Sequence, residues 1–195
     1  MRYSATIFPD RHQAFGSRLV PMTLGHAILL DRLRNPFAHP VPGGDPRPVH
    51  IDEALLCAMV CSRPWRKAER MIDTRRASLW LRWKFSSHSR FAILHILALR
   101  RYHAETWSEP ECRILHAYTG PKRGAEFLAL LAVSARTQLG INDPMDQPIS
   151  RLQLELLVSA EQNGSLIIGQ KPLPTLTQIA QAAMREKQST QPPHA

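Results

Sequence analysis

Apolar residues in this chain recur three and four apart far more often than they alternate, which is the spacing of amphipathic helices. The first such run opens behind Pro21 with Thr23 as N-cap and carries Leu24, Ala27, Ile28 and Leu30. It stops at Asn35-Pro36, because a residue before proline avoids the helical region. A second run, capped by Asp52, turns Leu55, Leu56, Met59 and Val60 inward and ends near Ser62. Pro64 cannot continue that helix but suits the first turn of a third, which carries Trp65, Ala68 and Ile72. Asp73-Thr74 interrupts it before residues 77–85 resume with Trp80 and Trp83, and Ser86-Ser87-His88-Ser89 reads as a turn. Residues 90–106 present Phe91, Leu94, His95, Leu97, Ala98 and Tyr102 at helical spacing. A short helix through Ile114, Leu115 and Tyr118 precedes a break at Gly120-Pro121. The run 125–139 closes on Gly140, another from Pro148 through Leu152, Leu156 and Leu157 closes on Gly164, and a weakly apolar helix spans 177–187.

Between these runs the punctuation is proline. Residues 36–49 hold five prolines and two glycines, which predicts an extended loop. Only Leu166-Ile167-Ile168 and residues 5–8 look strand-like, and there is no hairpin dipeptide and no βαβ spacing. The expectation is an all-α, compact multi-helix single domain with a proline-rich loop near 36–49 and a polar C-terminal tail. Its parts are an N-terminal arm over 1–20, a helical domain over 21–165, and a C-terminal helix with flexible tail over 166–195. At 195 residues the chain can bury a core without disulfides or metal. The longest apolar stretches, 91–99 and 127–133, fall short of the roughly 20 residues of a membrane helix. Met1-Arg2-Tyr3-Ser4 leads into no apolar run, so the expected location is the cytoplasm. Cys57, Cys61 and Cys112 make no disulfide framework, and Cys57 and Cys61 share a helix face as small buried residues.

Charge changes this picture in one place. Residues 63–90 hold nine basic side chains (Arg63, Arg66, Lys67, Arg70, Arg75, Arg76, Arg82, Lys84 and Arg90) against Glu69 and Asp73, a net +7 of the chain's +9. Three readings stand side by side. Trp65, Ile72, Leu79 and Trp83 form a buried stripe and the arginines a solvated face; or the segment binds nucleic acid by phosphate neutralisation and stacking; or it is a cationic face that docks a protein.

Candidate chemistry is sparse. The nine glycines are scattered, and Gly43-Gly44 sits in the proline loop with no helix start behind it, so no phosphate-cradling loop is expected. His95, His103, Cys112 and His116 are the nearest approach to a zinc set, but their spacing lacks close ligand pairs and the histidines read as structural. There is no Gly-x-Ser-x-Gly elbow, and the pairs Asp143/Asp146 and Glu109/Glu111 flank prolines as caps and turn residues. The expectation is a protein that is not an enzyme and uses neither cofactor nor metal.

One arrangement of short motifs has a familiar look. It runs from Leu24-Gly25-His26-Ala27-Ile28-Leu29-Leu30 and Asn35-Pro36-Phe37 to Val60-Cys61-Ser62-Arg63-Pro64-Trp65. It continues through Gly120-Pro121 and Asp143-Pro144-Met145-Asp146-Gln147-Pro148 to Ala160-Glu161-Gln162-Asn163-Gly164. Over about residues 19–165 this resembles small prophage tail-module proteins, similar in character to phage tail assembly chaperones. The resemblance implies a non-catalytic factor in the bacterial host cytoplasm. It would bind the tape measure or tail-tube proteins and sequester the aggregation-prone tape measure protein until the tube forms around it. The alternatives are a basic nucleic-acid-binding phage accessory protein acting through 63–90, and a structural component of the tail. The basic segment is no part of the motif pattern.

Overall fold

A computed structural model describes residues 12–39, 48–108, 112–114 and 124–168. The fold is all-α and compact, as the periodicity requires. Helices α1 (Leu24–Arg32), α2 (Ile51–Cys61), α3 (Trp65–Ile72), α4 (Arg75–His88), α5 (Ala92–Thr106), α6 (Gly124–Thr137) and α7 (Ile149–Gln162) follow in order. Single 3₁₀ turns at Pro36–Ala38, Ser89–Phe91 and Pro144–Asp146 join some of them. Among the described residues no helix is long and apolar enough to cross a membrane.

α2 is the centre. Ala54, Leu55, Cys57, Ala58, Met59, Val60 and Cys61 are all buried, so this helix is apolar around most of its circumference, as a helix enclosed on several sides must be. It packs against α1, α3, α4 and α5, and α1 in turn lies against α6 and the 144–146 turn. Three buried polar side chains tie these elements together by hydrogen bonds. Asn35 donates from Nδ2 to the Glu53 carbonyl at 2.8 Å, Tyr102 donates its hydroxyl to the Val20 carbonyl at 2.7 Å, and His103 Nε2 reaches the His39 carbonyl at 2.7 Å. Asn35 also caps the Pro36–Ala38 turn, so the start of the proline loop is regular where an extended path was expected; residues 40–47 lie outside the described ones.

Three elements depart from the sequence reading. Residues 12–20, expected in the N-terminal arm, make a two-stranded hairpin, β1 (Gln13–Ala14) and β2 (Ser17–Arg18), with Phe15 wholly buried and β1 on α5. Phe15 and Gly16 both take positive φ, 49° and 62°, the backbone of a two-residue hairpin turn usually written Asn-Gly. Phenylalanine in that position is held by burial and by its N–H donating to His95 Nδ1 at 3.2 Å. Of the helix expected through Ile114, Leu115 and Tyr118, the start is instead strand β3 (Cys112–Ile114), antiparallel to β4 (Leu166–Ile168), which confirms the strand-like run there; Leu115 and Tyr118 lie outside the described residues. The expected turn at 86–89 comes later, because Ser86 and Ser87 hydrogen-bond back to the Trp83 carbonyl and remain helical. Residues 5–8 and 177–187 and the polar tail lie outside the described residues.

Candidate functional site

The motif segments come together in space. Thr23 caps α1, and its N–H donates to His26 Nδ1 at 3.0 Å, leaving His26 Nε2 to donate to the Arg63 carbonyl at 2.8 Å. Burial lowers the His26 pKa, although the Arg63 carbonyl and Asp146 pull it partly back, so the neutral ring serves as acceptor on one nitrogen and donor on the other. Trp65 lies on Gly25 so closely that a Cβ there would fall 2.5 Å from the indole. Its Nε1–H donates to Asp146, which also meets Arg66. The hydrogen bond from Trp65, helped by Arg66, lowers the Asp146 carboxyl below its usual range despite some desolvation. Two backbone bonds, Leu24 N–H to the Gln147 carbonyl at 3.1 Å and Ile149 N–H to the Met22 carbonyl at 3.0 Å, complete a seam between α1, α3 and the start of α7. The roles visible at Gly25, His26, Trp65 and Asp146 are therefore structural.

The nine basic residues divide into four groups. Arg66 faces this seam, with Asp143 at 2.6 Å. Arg63, Lys67, Arg70 and Arg76 line one cleft of about 520 Å³ beside α3 and the start of α4, together with Ser62, Met71 and Thr74. Arg75, Arg82 and Arg90 are exposed elsewhere on α4 and the turn behind it. Lys84 is buried against Trp80 and Trp83, its ammonium 5.6 and 4.7 Å from their ring centroids, and burial lowers its pKa. It shares the space beneath the hairpin with His88 and His95, whose rings lie 5.3 Å apart. Burial lowers the His95 pKa, and the neighbouring His88 and Lys84 add to the effect.

The expected buried stripe is corrected. Trp65 and Ile72 are half-buried, but Leu79 is 64% and Trp83 60% exposed. α4 turns Ala77 and Lys84 inward with half-buried Trp80 and Leu81, and a 100° step per residue then carries 79 and 83 outward. The face expected for α5 is corrected likewise at Phe91, Leu94 and Leu97, while Tyr102 is buried as expected. Leu99, Tyr102, His103 and Thr106 are buried, whereas Phe91, Ile93, Leu94 and Leu97 are all more than half exposed. Seven of the ten exposed large apolar side chains among the described residues fall between 79 and 97, on α4, α5 and the turn between them, where Arg75, Arg82 and Arg90 are exposed too. A signal for this exposure existed: residues 92–99 carry apolar side chains at seven of eight positions, more than one buried face requires.

His95 and His103, two members of the zinc candidate set, look toward different partners, Phe15 and His39; the side chains of Cys112 and His116 are outside the description. Among the described residues no group of three His, Cys, Asp or Glu is placed to hold a metal. Burial pushes the Cys57 thiol up, with Cys61 adding to the shift, which is the opposite of thiolate activation. No family model, curated protein or solved structure matches the chain.

Proposed function

We propose that this chain is a non-catalytic holding protein that docks an acidic, apolar polypeptide on the outer surface of α4 and α5. In line with the motif resemblance, the client is a phage tape measure or tail-tube protein, held during assembly. The observation that supports the reading is the concentration of Leu79, Trp83, Phe91, Ile93, Leu94 and Leu97 outside the core. Covering one large apolar side chain contributes about 1.5–3 kcal/mol, whereas association costs about 4–15 kcal/mol in lost freedom. Two or three such contacts supply about 3–9 kcal/mol, toward the low end of that cost, whereas six supply up to about 9–18 kcal/mol. The flanking arginines favour a partner with acidic stretches and speed its capture. They also disfavour a second copy of this chain, which would bring like charges together.

The test is co-expression of a tape measure protein with the wild-type chain and with Leu94→Asp/Leu97→Asp, two exposed positions whose substitution spares the core. The tape measure protein should stay soluble with the first and precipitate with the second. Equal precipitation in both, or equal solubility in both, contradicts the reading. A steeply salt-dependent gel shift of nucleic acid, lost with the same pair, would favour the nucleic-acid alternative for this surface.

A further inference from the structure

The cleft beside α3 and α4 is separate from that apolar surface and has its own chemistry. Arg63, Lys67, Arg70 and Arg76 converge on about 520 Å³, and no carboxylate lines it. Of the nearby acids, Glu69 meets Arg32 at 3.0 Å and Asp143 and Asp146 meet Arg66, which leaves exposed Asp73, next to the lining residue Thr74, against four cations. Arg63 is the built part of the site. It is half-buried, its Nη2 and Nε lie 3.2 and 3.4 Å from Ser62 Oγ, Nη1 touches Met71 Sδ, and its guanidinium sits 5.7 Å from the Trp80 ring centroid. With its Nε/Nη2 edge on Ser62 and one Nη1 hydrogen on Met71, the stacked guanidinium keeps one further hydrogen on each of Nη1 and Nη2 in a fixed direction for a forked contact with an oxyanion. The charge count then selects the ligand. One carboxylate carries a single charge, too little to balance four cations, whereas a terminal phosphoryl group carries about −1.5 to −2 and a nucleic-acid backbone presents single charges on several consecutive phosphates.

We propose that this cleft is an anion site for phosphoryl groups, borne by a small polyphosphate or by a nucleic-acid backbone. Arg63 makes the oriented contact, while Lys67, Arg70 and Arg76 supply charge from the rim.

Calorimetric titration of the full chain at low salt with inorganic pyrophosphate, and separately with a short single-stranded oligonucleotide, tests this. Wild-type protein should bind at least one probe. Arg63→Lys, which keeps the charge and loses the fork, and Arg70→Gln/Arg76→Gln should each weaken binding about tenfold or more, the size of one charge-assisted contact. Arg82→Gln, an exposed cation outside the cleft, should bind as wild type, and unchanged melting temperatures would confirm that all variants fold. Pyrophosphate binding that the oligonucleotide does not displace identifies a small polyphosphate as the source. Oligonucleotide binding that pyrophosphate displaces, with a salt slope of roughly −0.7 per phosphate neutralised, identifies a nucleic-acid backbone. Absence of binding for both probes, or an equal loss in Arg82→Gln, overturns the proposal. Because the probes contain no polypeptide, this result is independent of client docking.

Discussion

Gly25 shows how a single atom decides a packing. Adding a methyl inside a helix ordinarily gains about 0.5–1 kcal/mol. Here that methyl would meet the Trp65 ring at 2.5–2.7 Å, and the ring is held by Asp146 and cannot swing away freely. Overpacking of this kind costs about 1–3 kcal/mol, so Gly25→Ala should lower stability by about 1–2 kcal/mol in urea unfolding. His103 makes a comparable statement about pH. Burial, only partly offset by the His39 carbonyl, lowers its pKa from 6.5 to about 4. The unfolded chain therefore takes up a proton near pH 6.5 that the folded chain refuses until about pH 4. The stabilisation is complete above pH 6.5 and is lost as pH falls toward 4, about 3 kcal/mol in all. His103→Gln keeps a donor for the His39 carbonyl and cannot titrate, so unfolding free energies measured from pH 7 to 4 should show a shallower decline than in wild type.

At the scale of elements, α5 separates core from surface within a few residues. Leu99 is completely buried and Leu97 is 53% exposed. Leu99→Ala should cost about 2–5 kcal/mol through lost contacts and an unfilled cavity. Leu97→Ala should cost about 1 kcal/mol or less in the same unfolding experiment, since about half of that residue already lies in solvent. This contrast marks where the sequence was legible. Helix existence followed from periodicity and from Thr23, Asn35-Pro36 and Pro64, because local backbone chemistry settles those boundaries. Which face of α4 and α5 turns inward did not, because both sides of 91–99 offer leucine or isoleucine and only the packing on α2 and β1 breaks the tie. The hairpin at 13–18 was hidden for a related reason. Its turn is Phe-Gly, and Phe15 tolerates positive φ only because distant residues His88 and His95 enclose it. The candidate cations were legible as a cluster along the chain. Their separation into a seam, a cleft and an exposed surface depends on Asp143, Asp146 and Trp80, which come from elsewhere in the fold or from the inner face of α4.

At the scale of the whole molecule, α2 is enclosed around most of its circumference, while α4 and α5 keep large apolar side chains outside the core. Arg75, Arg82 and Arg90 are exposed on α4 and the turn behind it, so cationic and apolar side chains share these elements. A client that is both apolar and acidic would meet both, and its capture should slow as salt rises past about 0.1–0.15 M, where the screening length falls to about 8–10 Å. The most direct test of client docking is hydrogen–deuterium exchange of the full chain with and without a soluble segment of tape measure protein. Docking on the outer surface predicts slowed exchange concentrated in α4 and α5, with α6 and α7 unchanged. Protection confined to α6 and α7, or no protection at a saturating concentration of the segment, would contradict it.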